Sequence, residues 1–382
     1  MPSILFGGDC CWDSDKSQIR RIIAVHPGLI AAAESADLFV INLEGPLTDC
    51  VTGIEKVGPV VKNDPKLLDI MHYLGIGAVT LANNHIMDYG IIGLADTIKT
   101  LEDMNIAYCG IDRDGSKREN GIIISREFKG KKVSLVGLCE REFNVVPQTL
   151  IGAAAASDIE IFYQISAARS NSDFLIVMFH GGVESYSLPS PITVARMRYL
   201  VDLGADCVIM HHSHCISGYE EYNGKAIYYG LGNLIFPYAG LESDAKWNTG
   251  YLVQLTIEDN DMLTTKILPY QQRYQGETLY IESLTEESAL EFDESFSELS
   301  KQIGSPDLLL RAWEQFCSKG DYSYLRYFSP QNMLFRLMRK MGLSTMNTRH
   351  ARTLVNIIRN SSHRERAICA LEQWARLKGS II

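Results

Sequence analysis

Over residues 1–283, short apolar runs alternate with stretches in which apolar residues recur every three to four positions. The runs predict strands at 3–6, 37–42, 77–81, 106–108, 122–126, 133–138, 174–179, within 205–214 and at 225–229, and the periodic stretches predict helices between them. Those helices fall at 17–33, where Pro27 must kink or split the pattern, and at 65–74, 91–104, 157–168 and 192–203. Strand and helix in alternation predict an α/β fold. An antiparallel pair, 251–257 with 262–268, turns at Glu258-Asp259-Asn260-Asp261 and closes the unit near 283. From 284 to 382 the pattern becomes helical, at 308–316, 333–341, 353–358 and 364–377.

The chemistry lies where the apolar runs stop. The run at 3–6 breaks at Gly7-Gly8 and presents Asp9, and the run at 37–42 is followed by Glu44. The run at 77–81 leads to Asn84 and His85, with Asp88 close behind, and the run at 174–179 leads to His180. The stretch 205–214 ends in His211, His212 and His214, three of the nine histidines within four positions. If that strand stays extended, His212 and His214 project to one side and their imidazoles converge on a metal ion. Together the strand ends offer Asp9, Glu44, Asn84, His180, His212 and His214, a set sufficient for two ions. Imidazoles with carboxylates suit zinc, iron, manganese or nickel better than calcium or magnesium. Beside a metal-binding Asn, His85 need not be a ligand; it is placed to donate a proton to a leaving group or to hold an oxyanion. No GxGxxG, Walker A or GxSxG motif occurs, which leaves nucleotide-cofactor and serine-hydrolase chemistry unsupported.

Composition narrows the setting. The chain has 382 residues, enough for one large α/β unit and a smaller one. Its nine cysteines, odd in number and without CxxC spacing, point to a reducing compartment. The start has no basic leader with a long apolar core, and no stretch is long enough to span a bilayer, so a cytoplasmic location is expected. Of the formal charge of −10, residues 335–382 contribute about +8 and the remainder about −18. An acidic body is a poor match for nucleic acid. The basic tail, with Leu337, Met338 and Met341 set between Arg336, Arg339 and Lys340, reads either as a helical appendage packed on the acidic body or as a peripheral membrane contact. No feature fixes an oligomeric state.

The ordered set formed by Asp9, Asn42-Leu43-Glu44-Gly45, Asn83-Asn84-His85 with Asp88 and Gly90, His180-Gly181 with Glu184, His212-Ser213-His214 and Gly230-Leu231-Gly232-Asn233 resembles the CapA group of capsule, or poly-gamma-glutamate, biosynthesis proteins. That group lies within the calcineurin-like metallophosphoesterase superfamily. The resemblance covers about residues 3–240. It implies a layered α/β/β/α sandwich of two mixed sheets with a dinuclear site at their strand ends, and an anionic polymer or peptide-like substrate. It makes Asp9 and His214 ligands of one ion, Asn84, His180 and His212 ligands of the other, and Glu44 the bridge. His85 takes the position near the leaving group, and Asp88, Glu184 and Asn233 become candidate substrate contacts. Two positions depart from the wider superfamily: Cys11 stands where a histidine is usual, and Glu44 where an aspartate is usual. The implied function is a metal-dependent hydrolase cleaving an amide or phosphoester bond with metal-bound hydroxide. A non-catalytic accessory protein and a metal-assisted peptide epimerase are the alternatives.

Overall fold

Alternation within each strand decides the layering of this protein, a computed structural model that describes residues 1–112, 123–146, 151–155, 157–320 and 348–377. In the strands Ser3–Cys10, Leu38–Leu43 and Ile76–Thr80, the residues Leu5, Phe39, Ile41 and Val79 face one way and Ile4, Phe6, Val40 and Ala78 the other. The first set packs under the helices Pro27–Ser35, Leu67–Tyr73 and Gly90–Asp103 through Leu29, Met71 and Leu94. The second set meets Leu135, Ile176, Met178 and Ile209 of a second sheet. That sheet's opposite face, Val136, Val177 and Val208, is covered by the helices Asp158–Ser170 and Pro191–Asp202 through Ile165 and Met197. A strand buried on both faces must be apolar throughout, which is why these strands read as unbroken apolar runs. The result is the four-layer α/β/β/α sandwich.

Both sheets are mixed. In the larger, Ser3–Cys10, Leu38–Leu43, Ile76–Thr80 and Ala107–Cys109 run parallel, and Thr249–Ile257 pairs antiparallel with Ser3–Cys10. In the smaller, Lys131–Cys139, Phe174–His180, Cys207–His211 and Lys225–Tyr228 run parallel, flanked by the antiparallel edges Ile123–Phe128 and Tyr219–Tyr222. The parallel strands of each sheet therefore end at the same edge, where α/β sheets present functional groups.

The helix expected over 17–33 is two elements. Arg21–Ala24 is an edge strand parallel to Thr278–Glu282, and the helix begins only at Pro27. Proline disfavours the helical region for the residue before it and suits the first helical position; the His26 ring accepts the free Leu29 N–H at 3.1 Å and caps the helix. The expected strand at 262–268 extends over Leu263–Gln275 and turns into Thr278–Glu282, a pairing unmarked in the sequence.

Beyond 284, the helices Glu286–Ile303, Pro306–Gly320, Thr348–Arg359 and Ser361–Leu377 lie on the sandwich. Ile303 and Leu309 join the outer core with Met197 and Leu200, and Ser362 Oγ donates to Glu140 Oε1 at 3.0 Å. The helix expected at 333–341 lies outside the described residues. Among the described residues, no helix is long and apolar enough to cross a membrane. All nine cysteines are free.

One close approach sets the site's frame. Gly8 lies so near Gly232 that a Cβ there would stand 1.9 Å from the Gly232 carbonyl oxygen, and Asp9 N–H donates to that same oxygen at 3.1 Å. Gly232 has φ of 75°, a conformation that glycine adopts without strain. Gly8→Ala is expected to destabilise the chain by at least the ~1–3 kcal/mol typical of overpacking, because the obstacle is backbone. Thermal unfolding of the variant checks this, and an unchanged midpoint would refute the close approach.

Candidate metal centre

Glu44 is the first residue after Leu38–Leu43, its backbone held by a bond from Glu44 N–H to Cys10 carbonyl at 2.8 Å. Its side chain is fully buried, and Oε1 has no hydrogen-bond partner. That oxygen faces three imidazole nitrogens: His214 Nε2 at 3.7 Å, His180 Nε2 at 3.9 Å and His85 Nε2 at 3.9 Å. Burial, then the nearby Asp9 carboxylate, pushes the Glu44 carboxyl well above the usual range. A buried carboxylate oxygen without a donor is costly, and a cation among these groups offsets that cost.

Two nests of donors share this residue. Glu44, His180 and His212 form one, and Asp9, Glu44 and His214 the other, with the donor atoms of each within 4.8 Å of one another. In the first, His180 Nε2 lies 3.0 Å from His212 Nδ1 and 3.0 Å from Asn84 Oδ1. Burial holds both rings low, His212 to about 4 and His180 well below its ordinary value. Two neutral imidazoles meeting nitrogen to nitrogen present lone pairs that a metal ion satisfies. In the second nest, Asp9 is the penultimate residue of Ser3–Cys10, and its Oδ1 accepts from Asn42 Nδ2 at 2.7 Å. Asn233 spends its amide N–H on the carbonyls of His214 and Trp247, so its Oδ1 accepts from His214 Nδ1 at 2.9 Å. This fixes the His214 tautomer with the Nε2 lone pair toward Glu44, the way outer partners orient ligating histidines.

The structure thus brings together all six residues expected at the strand ends. The route for His212 and His214 differs from the extended one. The strand stops at His211, and His212 and His214 have φ of 100° and 55°, left-handed values that non-glycine residues rarely adopt. The turn is held by a bond from His212 N–H to Asp9 Oδ2 at 3.1 Å, so a candidate ligand on one strand braces the loop that carries two others. His211 turns away and meets the Gly7 carbonyl through Nε2 at 3.1 Å.

The residues expected to contact substrate divide. Asp88 and Asn233 are fully buried behind histidines, Asp88 accepting from His85 Nδ1 at 2.7 Å, which makes both orienting groups rather than surface contacts. Glu184 is exposed, within electrostatic reach of His212, His214 and His85. Lys56 was not legible in the sequence: its Nζ lies 2.5 Å from Asp88 Oδ1 and 3.1 Å from His85 Nδ1, on a side chain only 3% exposed. It comes from an irregular stretch whose composition carries no signal. Asn42 stood in the ordered set without a role assigned to it, and Glu142 was missed. Asn42 lies one residue before the end of Leu38–Leu43, within the reach of the strand-end pattern. Glu142 is pushed up to about 8 by burial and accepts from Asn360 Nδ2 at 2.9 Å, so the C-terminal helices reach the rim of the site.

The family described as bacterial capsule synthesis protein PGA_cap matches residues 3–238. A capsule biosynthesis protein CapA of Bacillus anthracis is 29% identical over 204 residues, 51% of this chain and 47% of that protein. A PGA biosynthesis protein CapA of Bacillus subtilis is 30% identical over 181 residues, 46% of each chain. The chain therefore spans about half the length of these curated relatives. Among solved structures, a 5′-nucleotidase precursor of Thermus thermophilus is similar at a TM-score of 0.41 and 16% identity, over 70% of this chain and 54% of that one.

Proposed function

We propose, since the chain belongs to the bacterial capsule synthesis PGA_cap family, that it is a metal-dependent hydrolase cleaving an amide or phosphoester bond in an anionic polymer or peptide. The observation that carries the reading is the unpartnered Glu44 Oε1 standing between two ligand nests. The donor set fits divalent transition metals, held by Asn84, His180, His212 and Glu44 on one side and by Asp9, His214 and Glu44 on the other. Bound there, such ions would polarise a substrate oxygen and acidify a water.

The chain's own residues divide the remaining work. Asn42 and Asn233 orient Asp9 and His214. Asp88 accepts from His85 Nδ1, which leaves His85 Nε2 facing the site as the atom where a proton is held or passed. Lys56 balances the Asp88 charge. Glu184, exposed beside the histidines, is placed to meet an incoming substrate.

A second reading, an accessory protein with a single structural ion, draws on Cys11. That thiol is packed with Val61 and Phe236, where the wider superfamily carries a histidine, and burial, then Glu44, pushes it up in the absence of a metal ion. Elemental analysis of protein purified without chelator, joined to a screen of phosphomonoesters, phosphodiesters and γ-glutamyl peptides, separates the two. The hydrolase reading expects two ions per chain and turnover of one substrate class; one ion or none, with no turnover, contradicts it.

A further inference from the structure

A second polar pocket, of about 360 Å³, opens beside the strand end that supplies His180. Cys139 pairs in register with His180, Glu140 N–H donates to the His180 carbonyl at 3.0 Å, and the next residue, Arg141, lines the pocket. Arg196, Arg359 and Arg364 line it as well, the last two from the C-terminal helices.

The pocket's carboxylates are already engaged. Arg196 lies 3.2 Å from Glu140 Oε1 and 3.5 Å from Asp158 Oδ1, and Glu140 also accepts from Ser362. Glu160 accepts the Ser157 N–H at 2.7 Å in a helix cap. Arg364 donates to the Ile358 carbonyl at 2.8 Å. Among the described residues, Arg141 and Arg359 have neither a carboxylate nor a hydrogen-bond partner, and Arg141 Nε is buried with no acceptor. Burial and the Arg359 charge both weaken the Arg141 cation's hold on its proton. Two like charges lining one pocket, one with an unmet donor, lack an acceptor there.

We propose that Arg141 and Arg359, with Arg364 at the rim, form an oxyanion-binding subsite beside the metal centre that takes a carboxylate of the substrate one or more repeats away from the bond cleaved. The proposal rests on the anionic-substrate part of the reading above. Guanidinium forks bind carboxylate and phosphate alike, two oxygens at a time. A pocket of this size admits the end or side group of a chain and not a duplex. The basic C-terminal helices thereby contribute part of the site, through Arg359 and Arg364.

The test is calorimetric titration of the full chain, stripped of metal by chelator, with tri-γ-glutamate and separately with inorganic phosphate. Working without metal keeps this result independent of the hydrolase reading, which fails or stands on metal content and turnover. Arg141→Gln and Arg359→Gln are expected each to weaken tri-γ-glutamate binding by about 10- to 100-fold. Arg141→Lys, which keeps the charge and loses the fork, should fall between parent and Gln variant. Thermal unfolding of each variant confirms that it is folded, and Arg359→Gln serves should Arg141 variants fail to fold. Binding of phosphate alone, lost in the same variants, would support the oxyanion site and assign it to phosphate, overturning the carboxylate assignment. No binding of either probe, or affinity unchanged in folded arginine variants, overturns the proposal.

Discussion

Glu44→Gln is expected to empty both nests at once. Among the described residues, Glu44 is the residue common to the two groups, and its Oε1 lies 3.7 Å from His214 Nε2 and 3.9 Å from His180 Nε2. The amide is nearly isosteric, so the packing around the side chain survives and only the charge is lost. Losing an outer partner of a metal ligand typically costs ~10–100-fold in affinity; losing a shared anionic ligand should cost at least that on each side. The measurement is metal content per chain after dialysis against a weak chelator, parent beside variant. If only one nest empties, Glu44 belongs to a single ion. Metal retained in full would mean that its unpartnered oxygen has some other role.

His85→Ala should give the opposite pattern, with metal retained and turnover lost. The ring is held through Nδ1 by Asp88 and approached by Lys56, and it meets the ligand set only through the 3.9 Å contact between Nε2 and Glu44 Oε1. Removing a positioned proton carrier costs roughly 10²–10⁴ in rate. Metal content and turnover with whichever substrate the screen identifies would be measured together. Parallel loss of both would make His85 a ligand, and unchanged turnover would leave it a structural part of the turn. Asp88→Asn provides an internal check, since its amide still fills the space but no longer balances Lys56; an intermediate loss is expected.

The fold was legible because both faces of its central strands are buried. Phe39, Val40 and Ile41 point alternately into two different cores, and that requirement writes itself as an apolar run. The candidate ligands were legible for a related reason: a carboxylate, an amide or an imidazole immediately beyond such a run has no place in either core. The edge strand Arg21–Ala24 was not legible, because a half-exposed strand of four residues with two isoleucines fits a helical period equally well, and its pairing with Thr278–Glu282 spans most of the chain. The left-handed turns at His212 and His214 were hidden too, since they follow from the bond to Asp9 and not from the residues themselves. Lys56 and Arg141 lie in irregular segments, where function arises from tertiary placement that no local period records.

The central claim, that Glu44 joins two metal-binding nests, is tested most directly by crystallography of protein loaded with manganese, using anomalous scattering to locate the ions. Two anomalous peaks are expected flanking Glu44, one contacted by His180, His212 and Asn84 and the other by Asp9 and His214. No peak within bonding distance of Glu44, under conditions where manganese binds in solution, would contradict it.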